Sequence, residues 1–124
     1  MELISIDEIT KFQDSKVIKE IPMLTDQLMA TLLFIGSDTN IPAHTHIFMD
    51  EIDYVIKGTG KISVDNKSKS IHKGMMILVP RGTSHYFSTS DEHLIIMAVS
   101  PIIGENKDSQ KTSKTGKKSE NEVK

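Results

Sequence analysis

The sequence predicts an all-β domain, built as a sandwich, jelly roll or closed barrel. Short apolar runs recur along the chain, and turns rich in Gly, Pro, Asn and Asp separate them. No apolar stretch keeps a helical period long enough for a helix bundle. The predicted strands are residues 17–21, 28–35, 51–56, 61–64, 75–79, 85–88 and 94–99, and the predicted turns are 36–40, 58–60, 65–66, 73–74 and 80–82.

Residues 1–27 are expected to form a segment that packs on this domain or on a partner chain. Ser5 and Glu8 have the spacing of a capping box, which predicts a short helix over Ser5 to Phe12. Isoleucine and valine side chains recur through Ile21, and a small barrel leaves unpaired strand edges. We therefore predict a homodimer, with the alternative that the segment folds back onto its own chain.

The main domain is expected to cover residues 28–103. Leu28 to Ile35 is nearly all apolar, which is typical of a strand covered on both faces, although a buried helix fits too. Residues 104–124 are polar and of mixed charge, with Val123 as the one strongly apolar side chain. Such a segment cannot bury enough surface to offset its ordering entropy, so we predict a disordered, dispensable tail.

Composition excludes several classes of protein. The chain has no cysteine, which rules out disulfides and thiolate metal sites and favours a reducing compartment. Residues 1–103 carry a net charge of −4 and the tail +2, so the domain has no nucleic-acid footprint. No apolar run reaches the length of a membrane span, and the N-terminus lacks the pattern of a signal peptide. We expect a cytoplasmic protein without membrane or nucleic-acid partners.

Three places in the chain carry metal-binding chemistry. His44 and His46 are two residues apart, so on a strand both imidazoles point to one face, with Cα atoms about 7 Å apart. Glu51 follows a short turn, and His85 follows the Pro80–Ser84 turn far along the chain. Three imidazoles and one carboxylate suit one divalent ion, namely Mn, Fe, Co, Ni or Zn.

Other side chains near these positions leave alternatives open. Asp50 is an alternative to Glu51 as the carboxylate ligand. If Glu51 points inward, alternation also turns Asp53 inward, where a carboxylate would be a candidate general base, unless a bulge or the barrel mouth leaves it in solvent. Arg81, the only arginine, is either an anion-binding residue or an exposed turn residue. Phe87 is expected in the core, and Met49 is a weaker candidate for lining the mouth of the site.

Two motifs resemble those of the cupin superfamily, over about residues 28–100. The first pattern is a glycine, His-x-His, a glutamate and a glycine, and the second is a glycine, Pro-x-Gly, a histidine and an asparagine. The matching residues are Gly36, His44, His46, Glu51 and Gly58, and then Gly74, Pro80, Gly82 and His85. Two departures stand out, since the loop after Gly36 is longer than in the family and Thr89 replaces the asparagine.

The resemblance implies a single cupin β-barrel, or double-stranded β-helix, that binds a metal through His44, His46, Glu51 and His85. It also implies a tight strand reversal at Gly58 and Gly60, and a rigid turn at Pro80–Gly82 that aims His85 inward. Related cupins include dioxygenases, decarboxylases, sugar isomerases and binding modules. The expected function is a mononuclear metal enzyme acting on a small oxygen-rich molecule. The alternatives are a metal-loaded module that binds or senses a small ligand, and a protein whose metal only ties strands together.

Overall fold

The computed structural model describes residues 1–102, and the predicted tail, residues 104–124, lies outside them. One short helix and eight strands make up the described chain, which confirms the all-β prediction. The helix α1 is Ile6–Ile9, and the strands are β1 Val17–Leu24, β2 Leu28–Ile35, β3 His44–Thr45, β4 Glu51–Val64, β5 Lys67–His72, β6 Met76–Val79, β7 Ser84–Ser88 and β8 Leu94–Pro101. No helix in residues 1–102 is long and apolar enough to cross a membrane.

Strand β4 holds the barrel together because it belongs to both of its walls. All strand pairs are antiparallel, and the order along the sheet is β1-β2-β8-β4-β7-β3. The first half of β4 pairs with β6 and β8, and the second half pairs with β5 and β7. An apolar core lies between the two walls and includes Phe87, as expected.

The tight reversal predicted at Gly58 and Gly60 is wrong, because β4 runs through both residues. Gly58 does take a positive φ of 89°, just after a register shift between Val55 and Lys57, so the strand bends there from one wall to the other. A side chain at Gly58 would collide with the carbonyl of His93. The glycine is therefore required for close backbone approach within a strand and not for a turn.

The N-terminal segment packs on its own chain. Strand β1 pairs with β2, and Ile6, Ile9 and Phe12 pack over a second cluster formed by Leu32, Phe34 and Ile95. Strand β2 is thus covered on both faces, as its apolar sequence indicates. The helix is shorter than predicted, and Ser5 stands at its N-cap without a side-chain hydrogen bond, so the capping-box prediction is wrong.

Candidate metal centre

Three histidines converge at one end of the barrel interior. His44 on β3 lies directly opposite His85 on β7, and His46 follows immediately after β3. One ring nitrogen from each residue can be chosen so that all three atoms lie within 4.8 Å of one another. The ring centroids of His44 and His85 are 4.2 Å apart. These three are the only group of this kind among the described residues, and all three were predicted from the sequence.

The carboxylate of Glu51 lies against two of these rings. Its Oε1 atom is 3.3 Å from Nε2 of His46, and its Oε2 atom is 3.9 Å from Nε2 of His85. Asp50, the alternative ligand, instead accepts a hydrogen bond from the backbone N–H of Arg81 at 2.9 Å. That bond ties Asp50 to the exposed Pro80–Gly82 turn. Glu51 is thus the carboxylate that the fold brings to the histidines.

The hydrogen bonds of the rings suit metal binding. Nδ1 of His44 is 3.3 Å from the carbonyl of Pro42, and Nδ1 of His85 is 3.4 Å from the carbonyl of Thr83. With Nδ1 protonated to donate to these carbonyls, each Nε2 keeps its lone pair for another partner. His85 is 1% exposed, and its Nε2 atom has no hydrogen-bond partner among residues 1–102. A divalent ion would satisfy this orphaned nitrogen, so the residues present fit a metal.

The charge states of His44, His85 and Glu51 also suit a metal. Burial lowers the pKa of His44 to about 4, and burial likewise lowers the pKa of His85, so both rings are neutral at pH 7. Burial alone would raise the pKa of Glu51. Hydrogen bonds with His46 and Asp53 outweigh this effect and lower that pKa. Neutral imidazole and ionised carboxylate are the ligand forms of these side chains.

Asp53 lies inside the barrel and is 0% exposed, so the alternative that it faces solvent is wrong. Neither of its oxygens receives a hydrogen bond from an N–H or O–H group of the described residues. Burial raises the pKa of Asp53, and the hydrogen bond with Glu51 and the charge of Glu51 raise it further. Without a bound cation, burial and Glu51 therefore both favour the protonated form of Asp53, and its role as a general base stays a prediction.

Three residues outside the proposed ligand set also have defined positions. Met49 is buried. His93 stacks on Phe12 with ring centroids 4.0 Å apart, away from the cluster. Thr89, which replaces the asparagine of the motif, donates a hydrogen bond to the carbonyl of Gly36 at 2.6 Å and accepts one from the N–H of Thr39 at 3.0 Å. These two hydrogen bonds of Thr89 thus hold the loop after Gly36, which precedes the histidines. The orienting carbonyls of Pro42 and Thr83 could not be found from sequence, because every residue has a carbonyl.

The histidines predict a pH dependence for the metal-free protein. Because the pKa of His44 is lowered in the folded state, the unfolded chain binds more protons between about pH 6.5 and pH 4. The contribution of His44 to the free energy of unfolding should therefore fall as the pH drops through this window, by about 2 kcal/mol after allowance for its partial exposure, while the contribution of Asp53 changes in the opposite direction. In denaturant titrations the wild type should therefore lose stability relative to His44→Gln as the pH drops, whereas His72→Gln, at an exposed strand end, should follow the wild type. An equal fall in wild type and His44→Gln would contradict the prediction.

Comparison with known proteins supports the fold described above. A family model described as Cupin domain matches residues 33–100. An uncharacterized protein of Aquifex aeolicus is 26% identical over 112 residues, which cover 87% of this chain and 90% of that protein. The structure of TT1209 from Thermus thermophilus superposes with a TM-score of 0.75 at 18% identity, covering 82% of this chain and 97% of that one.

The polyketide cyclase RemF from Streptomyces resistomycificus superposes with a TM-score of 0.69 at 18% identity, covering 82% of this chain and 79% of that chain. At such identities these two structures establish the fold alone. The family model spans more than half of the chain and includes all four predicted ligands. The chain therefore belongs to the cupin-domain family.

Proposed function

We propose that the chain is a mononuclear metal-dependent enzyme that acts on a small oxygen-rich molecule. His44, His46, Glu51 and His85 would hold one Mn, Fe, Co, Ni or Zn ion. A bound ion of this kind supplies a Lewis-acid or redox centre. The chain's own residues orient the ligand rings through backbone carbonyls and keep a carboxyl proton at Asp53 beside Glu51.

The observation that carries the proposal is the placement of Asp53. A carboxyl group that is fully buried beside another carboxylate destabilises the fold, and it contributes no hydrogen bond to the barrel beyond the one to Glu51. Perturbed acids of this kind cluster at functional sites. We propose that Asp53 takes up or delivers a proton during turnover. The partial exposure of His46, whose side chain is 30% accessible, gives a small molecule access to the site and argues against a metal that only ties strands together.

The alternative is a metal-loaded module that binds or senses a small ligand without turnover. RemF is a cyclase, which makes catalysis a reasonable expectation on this fold, but identity of 18% cannot carry a reaction across. The two functions differ in one observable. Metal-loaded protein should consume O₂ or convert small organic acids, sugars or phenols in a substrate screen, and His46→Ala should not. Ligand binding without any turnover across the screen would favour the module.

We further propose that two copies associate through the outer face of the wall formed by β4 and β6. Ile52 lies opposite Leu78, and Tyr54 lies opposite Met76, and all four side chains are exposed. The N-terminal segment covers a different part of this wall, over Phe34 and Ile95. Residues 104–124 are too polar in sequence to cover an apolar face. A second copy of the same face is the occupant that remains.

Light scattering at micromolar concentration should therefore give twice the 13.9 kDa chain mass. Ile52→Lys places a charge in the middle of the face and should raise the dimer dissociation constant by at least about tenfold. Leu3→Lys, at an exposed position near the N-terminus, should leave the mass unchanged. A wild-type mass of one chain would contradict the dimer.

A further inference from the structure

A cleft of about 680 Å³ opens between β5 and β6, on the side of the barrel where the two walls separate. Both strands pair only with β4 among the described strands. The buried side chains of Ile62 and Ile71 form its floor, and Ile77 and Met75 of the other wall line it as well. Met76 and Leu78 of the proposed dimer face also line the cleft, so the two surfaces adjoin. Its volume and its mostly apolar lining are those of a small-molecule pocket.

Two lysines of β5 belong to the same concave face as this floor. Lys67 lies opposite Val64 and Lys69 lies opposite Ile62, whose side chains point into the barrel. Ser68, between them, makes a 2.6 Å hydrogen bond with Ser63 on the other face of the sheet. Alternation along β5 therefore turns both lysines toward the cleft. Neither ammonium forms an ion pair with any residue from 1 to 102.

One row of paired residues, which crosses four strands, links the lysines of the cleft to the metal centre. His44 pairs with His85, His85 with Val64, and Val64 with Lys67. Adjacent strands are about 4.8 Å apart, so the Cα atoms of Lys67 and His85 are about 10 Å apart. On the opposite wall, Ile77 pairs with Asp53. A molecule about 10 Å long would match this separation.

We propose that this cleft binds an apolar small molecule that carries a single carboxylate, with Lys67 and Lys69 holding the carboxylate and the apolar body pointing to the metal centre. Besides the lysines, the rim carries Asp65, so its net charge is +1 and matches a monoanion better than a dianion. The apolar floor excludes a fully polar ligand, because desolvating polar groups against Ile62 and Ile71 is unfavourable. The inference rests on the proposed function and narrows its substrate to an acid with an apolar body, so the sugars in the substrate screen are expected to fail.

The test uses three probes of one size and shape: 4-phenylbutyrate, 4-phenyl-1-butanol and 4-phenylbutylamine. Their binding to the full chain is measured by calorimetry, both in metal-loaded protein and after chelator treatment, because a carboxylate can also bind a metal directly. In the chelator-treated protein the acid should bind about five- to tenfold tighter than the alcohol, and the amine should bind most weakly. This preference should shrink at 1 M salt, where exposed charges are screened.

The double variant Lys67→Gln/Lys69→Gln should bring the acid down to the affinity of the alcohol. The matched control is Lys16→Gln/Lys61→Gln, which removes the same charge from exposed positions outside the cleft, Lys61 being on the other face of β4. The control should keep the preference for the acid. Equal binding of acid and alcohol to wild type, retention of the preference in the Lys67/Lys69 variant, or failure of all three probes to bind would overturn the inference.

The outcome is separable from that of the proposed function. Metal content and turnover are measured on the same preparations. A preference for the acid that depends on Lys67 and Lys69 supports the cleft even if the protein binds no metal. Metal-dependent turnover with no such preference leaves the proposed function standing and overturns only the cleft.

Discussion

Replacing Asp53 with asparagine is expected to stabilise the metal-free protein at pH 7 by about 1–3 kcal/mol. Asparagine keeps the shape of the side chain, and its N–H can donate to Glu51 as the protonated carboxyl group does. The substitution removes a carboxyl group that must be protonated in order to be buried. Most core substitutions destabilise a protein, so a rise in the midpoint of urea unfolding at this position would be diagnostic.

The effect of Asp53→Asn should grow with pH. The pKa of Asp53 is raised in the folded protein, so above about pH 4 the unfolded chain releases a proton that the folded chain keeps. By linkage, this group makes the wild type progressively less stable as the pH rises above that value. The difference in unfolding free energy between variant and wild type should therefore widen from pH 4 to pH 8.

The same variant should lose activity while it keeps its metal. If Asp53 transfers a proton in the reaction, its removal should lower turnover by about 10²- to 10⁴-fold. Asp26→Asn makes the same chemical change in an exposed turn and should alter stability by less than about 0.5 kcal/mol, with full activity. If Asp53→Asn is less stable than wild type, and the difference in unfolding free energy does not widen with pH, then Asp53 is ionised in the folded protein.

Adding a divalent metal should raise the melting temperature of the wild-type protein. The ion binds the folded cluster and not the unfolded chain, so at about 100 times its dissociation constant it adds roughly 2.7 kcal/mol. His46→Ala should remove most of this gain. His46 is the best residue for the test because it is partly exposed and lies just outside β3, whereas replacing the buried His85 would also leave a cavity.

His72→Ala is the matched control for the metal experiment. His72 is exposed at the end of β5 and does not belong to the cluster, so its loss should leave the metal-dependent gain unchanged. The gain should also weaken as the pH falls toward the pKa of His44, about 4, because protons compete with the metal for the imidazoles. An undiminished gain in His46→Ala would mean that the ion binds elsewhere.

The positions of the three histidines and Glu51 could be predicted because these residues belong to two short motifs, each with local spacing. His44, His46 and Glu51 lie within eight residues, and the Pro80–Gly82 turn precedes His85, so the two motifs together mark one site. Strand alternation from Glu51 also gave the inward direction of Asp53. Its charge state could not be predicted, because it depends on the depth of burial and on the distance to Glu51, which only the fold determines.

Other features of the fold depend on tertiary contacts that the sequence pattern does not express. The sequence around Gly58 is typical of a turn, yet β4 continues through this residue, and the carbonyl of His93 lies close against its backbone. Strand β5 has the sequence KSKSIH, with one apolar residue, and was missed. It pairs along one edge of β4 and has little to bury, so no apolar pattern marks it. The cleft and its two lysines were missed with it.

The most direct test of a metal-binding cupin centre is the metal content of the full chain, purified without added metal and measured by mass spectrometry of the elements. We expect about one Mn, Fe, Co, Ni or Zn ion per chain, and a content several-fold lower in His46→Ala than in His72→Ala. Wild-type protein that holds no such ion, and takes none up when each metal is supplied, would contradict the metal centre.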